Sequence, residues 1–278
     1  MKLNRFQNAA QFYPRVKDYL LNQEGLHNLL LGISHTLIEN PERFEEKPYL
    51  ATVEVNGDIV AVAMRTPPRP LLLSQMKDFQ AVELIAQDLF IFYQSLPGVN
   101  APTDEAQAFT QAWHLLTGQS YQLKMALGTF ELKKVQPISQ VPGYLRLATE
   151  GDGELLKNWY KAFSLEALGS IDSDIESWVK RVLQHGTAYL WQNEVPVSIA
   201  CHIGMTPNGA RISIVYTPPE YRRQGYASAC VAALSQTLLN RGNRYCFLFT
   251  DLANPTSNHI YQEIGYQSVG DWHSYSFL

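Results

Sequence analysis

Between Ile212 and Leu239 the chain reads ISIVYTPPEYRRQGYASACVAALSQTLL, a β-rich stretch, a short turn and then a helix pattern. Ala227, Cys230, Val231, Leu234 and Leu238 fall on one face of that helix, which is the spacing of a buried stripe. The turn between them, Arg222-Arg223-Gln224-Gly225-Tyr226-Ala227, has the makings of an anion site. The N–H groups of a first helical turn have no partners within the helix, and the helix dipole adds positive potential there. A phosphate fits such a turn, because the N–H groups point at it and the charge is complementary. Gly225 allows positive φ or close backbone approach, and Ala227 keeps side-chain bulk away from the anion.

A second stretch, Asn254-Pro255-Thr256-Ser257-Asn258-His259-Ile260-Tyr261-Gln262-Glu263-Ile264-Gly265-Tyr266, follows the next strand and has a helix pattern of its own. Together the two stretches resemble the GCN5-related N-acetyltransferase (GNAT) superfamily. Arg222-x-x-Gly225-x-Ala227 is similar to its acetyl-CoA pyrophosphate loop, Q/R-x-x-G-x-G/A. Asn254 to Tyr266 is similar to its later motif, N-x-x-[AS]-x-x-[LI]-Y-x-x-x-G-[FY], with asparagine, tyrosine and glycine in register. The resemblance implies acetyl-CoA as cofactor and transfer of its acetyl group to an amine by direct attack. It implies cofactor contacts from Val215, Tyr216 and Thr217 at the strand end, from Arg222, Arg223, Gln224, Gly225, Tyr226, Ala227 and Ser228 in the loop, and from Asn254, Ser257 and Tyr261. Two of these carry catalytic roles: a backbone N–H near Val215 donates to the thioester oxygen as it gains charge, and Tyr261 protonates the departing thiolate.

The general base is not legible in the sequence. His202, Glu194, Glu220 and Asp251 all stand near the implied site in sequence order, and a water chain serves equally well. Trp159, Tyr160, Trp178 and Trp191 are candidates to line an acceptor pocket or to fill the core. The histidines at 27, 35, 114, 185, 259 and 273 share no metal-ligand spacing, so no metal is expected. Neither a G-x-S-x-G elbow nor a phosphate loop ending in Lys-Ser/Thr occurs.

The elements that must position these residues recur. An Asn56-Gly57 hairpin spans Thr52 to Met64, followed by a strand at Leu71 to Leu73, a helix near Phe79 to Gln94, a strand at Pro97 to Ala101 and a helix from Thr103 to Leu116 that Gly118 ends. A hairpin at Ala188 to His202 opens the same series again: strand Ile212 to Tyr216, helix Tyr226 to Leu239, strand Tyr245 to Thr250, and a helix near Thr256 to Glu263 ended by Gly265. With the break QPISQVPG at Gln136 to Gly143, this predicts a mixed α/β (α+β) chain of two GNAT-like domains, residues 1–138 and 139–278. Each is expected to be a twisted mixed sheet flanked by helices, with strands splayed at the cofactor site. The first copy has no glycine or arginine in Leu71 to Asp78, where its loop belongs, and Trp113 falls near the tyrosine slot. A degenerate N-terminal half follows.

Composition narrows the function classes. The chain of 278 residues is 46% hydrophobic and 17% charged, against about 25% charged in an ordinary soluble domain, which excludes a disordered or fibrous protein. Its net charge of −4 splits evenly between the halves, so no basic surface for nucleic acid is expected. Three cysteines, Cys201, Cys230 and Cys246, make no disulfide framework. The N-terminal stretch MKLNRFQNAAQFYPRV lacks an apolar signal region, and a cytoplasmic protein without membrane segments is expected. Partners are then a small-molecule or peptide amine, with the oligomeric state open. The competing class is a non-catalytic acetyl-CoA-binding or sensing module.

Overall fold

The structure is a computed structural model that describes residues 1–169 and 174–278. Its first half runs β1 (Lys2–Arg5), α1 (Ala9–Leu21), α2 (Asn28–Glu39), β2 (Tyr49–Val55), β3 (Asp58–Arg65), β4 (Leu71–Leu73), α3 (Ala81–Tyr93), β5 (Gly98–Pro102), α4 (Thr103–Thr117) and β6 (Tyr121–Leu132). The second half repeats that order: β7 (Tyr144–Leu147), α5 (Gly153–Leu168), α6 (Ile175–Gln184), β8 (Ala188–Asn193), β9 (Val195–Met205), β10 (Gly209–Tyr216), α7 (Tyr226–Asn240), β11 (Tyr245–Asp251), α8 (Pro255–Ile264) and β12 (Gln267–Phe277). The sequence expectation caught the hairpins, β4, β5, β10, β11 and the helices beside them. The helix pairs α1–α2 and α5–α6 and the long strands β6 and β12 were not anticipated.

The strands form one mixed sheet in the order β1-β2-β3-β4-β5-β12-β6-β11-β10-β9-β8-β7. The last strand of each half therefore lies inside the other half. β12 pairs antiparallel with β5 of the first half, and β6 pairs antiparallel with β11 of the second. β6 and β12 pair with each other from Gln267↔Glu131 to Phe277↔Tyr121, across the centre of the sheet. An approximate two-fold relation of the halves runs between these two strands.

Helices cover both faces. α7 and α8 bury Tyr226, Cys230, Val231, Leu234, Tyr261 and Ile264 against Ala210, Ile212, Cys246 and Leu248. On the opposite face α5 and α6 bury Leu156, Trp159, Tyr160 and Trp178 against Leu190, Ile199, Cys201, Ile214 and Tyr216. α1 and α2 fill the space over the middle of the sheet, with Phe12, Val16, Leu30 and Leu31 against Leu50, Met64 and Trp272. Gly32 of α2 lies against Gly204 of β9, where an added Cβ would come within 3.3 Å of the Gly204 Cα, so a helix of the first half rests on the sheet of the second.

The start of α5 is fixed by charge. Asp152 accepts both Arg146 guanidinium N–H bonds at 2.8 Å and closes a capping box with Thr149. Arg146 holds the Asp152 carboxyl down to about 2, and the Thr149 N–H adds to this against the cost of burial. A carboxyl depressed on folding stabilises the fold above its unfolded value near 4 and loses that contribution as pH falls toward 2. We expect Asp152→Ala to destabilise the protein by about 2 kcal/mol at neutral pH and to flatten the acid limb of stability between pH 4 and 2. Denaturant melts across that range check it, and an unchanged acid limb refutes it.

The exchanged strands generate a second prediction. Without residues 1–140, β6 is removed from between β11 and β12, and two long strand edges open to solvent. The fragment 141–278 is expected to aggregate or to lack a cooperative thermal transition, measured by circular dichroism. A soluble fragment with one sharp transition contradicts this.

Candidate functional site

β10 and β11 are parallel neighbours only from Gly209↔Tyr245 to Arg211↔Phe247. Beyond that point β11 stays with β6 as far as Asp251, and among the described residues the edge of β10 from Ile212 onward has no strand beside it on that side. This is the splay that the fold expectation required. At this edge Val215 is in register with no strand among the described residues and is open to pair with an extended ligand, while the Tyr216 carbonyl accepts from the Ser198 hydroxyl.

The same edge is bulged. Ser213 faces Cys201 and Tyr216 faces Ile199 across β9, so three steps on β10 match two on its partner. Ile214 absorbs the extra residue at φ 54°, a conformation that a β-branched side chain avoids. Side-chain alternation then reverses. Ala210 and Ile212 lie under α7, whereas Ile214 and Tyr216 lie under α5 and α6, and Val215 turns to the α7 side. Val215 thereby joins the apolar cluster that contains Tyr226 and Tyr261.

The loop follows a short turn at Pro219–Tyr221. Arg223 at φ 62° and Gly225 at φ 81° alternate with ordinary residues, an arrangement that points successive N–H groups into one concavity. Gly225 is the N-cap of α7 and no side chain caps the helix, so the N–H groups of Tyr226, Ala227 and Ser228 are left for a ligand. Arg223, Gln224 and Gly225 are exposed, Ala227 and Ser228 half-buried and Tyr226 buried, its hydroxyl accepting from Asn193 Nδ2 at 2.8 Å.

The Arg222 side chain is engaged within the chain. Its Nε donates to the Thr217 carbonyl at 2.8 Å, and its Nη2 reaches both oxygens of Glu166 on α5 at 3.0 and 2.8 Å. The guanidinium thus ties the loop to the strand end and to α5. Thr217 is held as well, its hydroxyl 2.9 Å from that of buried Ser198. Asn254 also does local work: it is the N-cap of α8, and its Oδ1 accepts from the Ser257 N–H at 3.1 Å.

Tyr261 is buried, with its ring edge-on to Tyr266 at 6.0 Å between centroids. Burial pushes its phenol up to about 12, which keeps the proton on oxygen throughout the physiological range. Cys230, on the buried face of α7, is likewise pushed up to about 12 by burial and is no nucleophile at neutral pH.

The expected base candidates disperse. His202 sits beside Tyr189, 6.1 Å between centroids, with burial and the Arg241 charge lowering its pKa. Arg241 is the C-cap of α7, a helix of 15 residues, so His202 lies roughly 20 Å from the loop at the other helix end. Glu194 is exposed at φ 57° in the β8–β9 turn, and Glu220 is exposed before the loop. Asp251 ends β11 and accepts from the Ala253 N–H at 2.9 Å. Trp159, Tyr160, Trp178 and Trp191 are all core residues; Tyr160 stacks on Trp178 at 4.1 Å, and the Trp191 indole donates to the Pro142 carbonyl at 2.9 Å.

Two contributors carry no sequence signal. Glu166 is one ordinary helix carboxylate among several. Val141, in the connection between the halves, lies against Gly225, where an added Cβ would come within 2.9 Å of its Cγ2. The connection therefore borders the loop.

In the first half the corresponding turn is closed by its own chain. The N–H groups of Ser74, Gln75, Met76 and Lys77 donate to Val62 O, His27 Nε2, Glu105 Oε1 and Val60 O at 2.8 to 3.1 Å. His27 Nδ1 lies 3.0 Å from the Leu20 carbonyl, and burial pushes the imidazole down to about 4, so the neutral ring donates there and accepts at Nε2. Trp113 is fully buried with its indole N–H on Gln119. This half offers no free N–H row to a phosphate.

Comparison with known proteins bears on the fold. Residues 196–276 match the FR47-like protein family model. No curated protein sequence matches the chain. Among solved structures, an acetyltransferase of the GNAT family from Colwellia psychrerythraea is 12% identical with TM-score 0.62, over 100% of both chains. A Drosophila protein is 10% identical with TM-score 0.70, over 99% of this chain and 98% of that one. A tandem GNAT protein from the clavulanic acid biosynthesis pathway is 12% identical with TM-score 0.51, over 99% and 98%. Among the described residues no helix is long and apolar enough to cross a membrane. The chain carries the GCN5-related N-acetyltransferase fold twice over, with an FR47-like segment in its second half.

Proposed function

We propose that the protein is an acetyl-CoA-dependent N-acetyltransferase whose single cofactor site lies in the second half. The observation that carries this reading is the conjunction of three features on one cleft: the uncapped N–H row from Arg223 to Ser228, the open and bulged edge of β10, and the buried, protonated Tyr261. They suit, in turn, a pyrophosphate, an extended amide-bearing arm and a thioester.

Bound acetyl-CoA supplies an activated acetyl group. The N–H groups of the loop and the N-terminus of α7 hold its diphosphate. The edge of β10 aligns the arm by strand-like pairing, and the bulge aims the backbone of Val215 at the reacting carbonyl oxygen. Tyr261 holds a proton for the sulfur as the C–S bond breaks. Arg222 acts at one remove, fixing the loop through Thr217 and Glu166.

Calorimetry is expected to give one acetyl-CoA per chain, because the first half has spent its loop N–H groups. Gly225→Val, which adds bulk against Val141 at a left-handed position, is expected to abolish binding. Two equal sites, or wild-type affinity in the variant, refute the assignment. Binding without thiol release across a panel of amines leaves an acetyl-CoA-binding module instead of an enzyme.

Tyr261→Phe removes only a hydroxyl, so cofactor affinity is expected to hold while turnover falls by roughly 10²–10⁴-fold. Since the phenol keeps its proton up to about 12, Tyr261 contributes no alkaline fall in rate below about pH 11. Turnover within twofold of the parent assigns Tyr261 to the core alone.

A further inference from the structure

The outer surface of the first half carries an apolar face that its counterpart in the second half lacks. Phe90 and Ile91 sit in the last turn of α3, Leu115 and Leu116 in the last turn of α4, and Tyr121 and Leu123 open β6; all six are exposed. They belong to one surface. The Phe90 ring lies edge-on to Trp113 of α4 at 6.3 Å between centroids, and His114, next to Leu115, lies 5.7 Å from the ring of Tyr121. Ile91 is 75% exposed and Leu115 85%, so the two helices present these side chains to solvent and not to each other.

The repeated order of elements supplies an internal control. In the second half the same places are taken by α7, α8 and the start of β12. Their exposed positions include Gln236, Asn240, Gln262, Glu263, Gln267 and Ser268, and among the described residues no large apolar side chain of α7 or α8 is exposed. The fold therefore does not require an apolar surface here. A contiguous one on a soluble chain marks a contact with something else.

We propose that a second copy of this chain covers the face, with α3 and α4 of one copy against α3 and α4 of the other about a two-fold axis. Area and charge both point to this occupant. The six side chains leave roughly 600 Å² of apolar surface in solvent, so two copies face to face cover roughly 1,200 Å², the lower end of stable specific interfaces. A two-fold contact sets one patch against itself, so it tolerates no cluster of like charge. Here the last turns of α3 and α4 hold no carboxylate, lysine or arginine. Of the carboxylates on the two helices, Asp88 is held by Arg5 and Tyr49 and Glu105 by the Met76 N–H, while Glu83 and Asp104 lie in the first turns, at the far end from the patch. A charged partner finds no counter-charge, whereas a second copy meets an uncharged apolar face like its own, the composition of a homodimer interface. The half that lost its own loop serves, in this reading, as the dimerisation half.

Light scattering on the full chain as it leaves a size-exclusion column, loaded at about 1 to 100 μM, reads the mass. Twice the 31.5 kDa of one chain is expected at the upper loadings. Leu115→Glu and, separately, Ile91→Lys are expected to weaken the dimer by roughly 30-fold or more, with unfolding still cooperative because both positions are exposed in the single chain. Gln236→Glu, on the polar counterpart face, is expected to leave the dimer as it is. Hydrogen exchange of the native protein at the two ends of the concentration range is expected to show added protection over residues 87–94 and 111–123 at the higher one. A monomer throughout overturns the proposal, and the face then belongs to a different protein. A dimer that survives both substitutions, or whose added protection lies elsewhere, overturns it as well. If neither variant folds, the exchange measurement on the native protein decides alone.

Discussion

The exchange of β6 and β12 governs the rest of the molecule. Because β6 is hydrogen-bonded to β11 from Cys246 to Asp251, β11 is committed to the first half's strand over its whole length. It shares only three residue pairs with β10 before the two separate. The cleft is thus a consequence of how the halves are joined: a strand that pairs fully on one side follows that neighbour's twist and leaves the other. The long pairing of β6 with β12 supplies the stiffness against which the opening is held.

The halves share one order of elements yet treat the same strand-to-helix turn in opposite ways. In the second half the turn contains Gly225 and no side-chain cap, and its N–H groups face outward. In the first, Glu105 reaches in from α4 and His27 from just before α2, and the turn is satisfied internally. An unmade backbone hydrogen bond costs little at a solvated helix start and much in a buried one. Acceptors from its own chain satisfy the turn's N–H groups. The first half also supports the second: α2 rests on β9, and Asn28 meets Arg211.

Local chemistry made much of this legible beforehand. The Asn56-Gly57 hairpin, the glycine ends of α4 and α8, and the loop at Gly225 each depend on residues close in sequence, where one residue type strongly biases one backbone shape. The exchange of β6 and β12 was hidden, since its pairs are separated by more than a hundred residues and either strand would serve as an ordinary edge. Arg222 illustrates a subtler limit. Its place in the motif was evident, but whether its charge faces a ligand or Glu166 depends on where α5 docks.

Ile214 is the position where sequence and structure are most at odds. Its neighbours alternate as a plain strand, and β-branched residues favour that conformation. Yet it takes φ 54°, at a cost of order 1–3 kcal/mol. The surroundings enforce it. Ile212 is committed to the α7 core, while Tyr216 is committed to the α5–α6 core beside Trp159, at 6.2 Å between ring centroids. Regular alternation cannot place residues 212 and 216 on opposite faces, so one residue between them must be inserted. The bulge is therefore a product of core packing on both sides of the sheet, and the unusual backbone at Val215 comes with it.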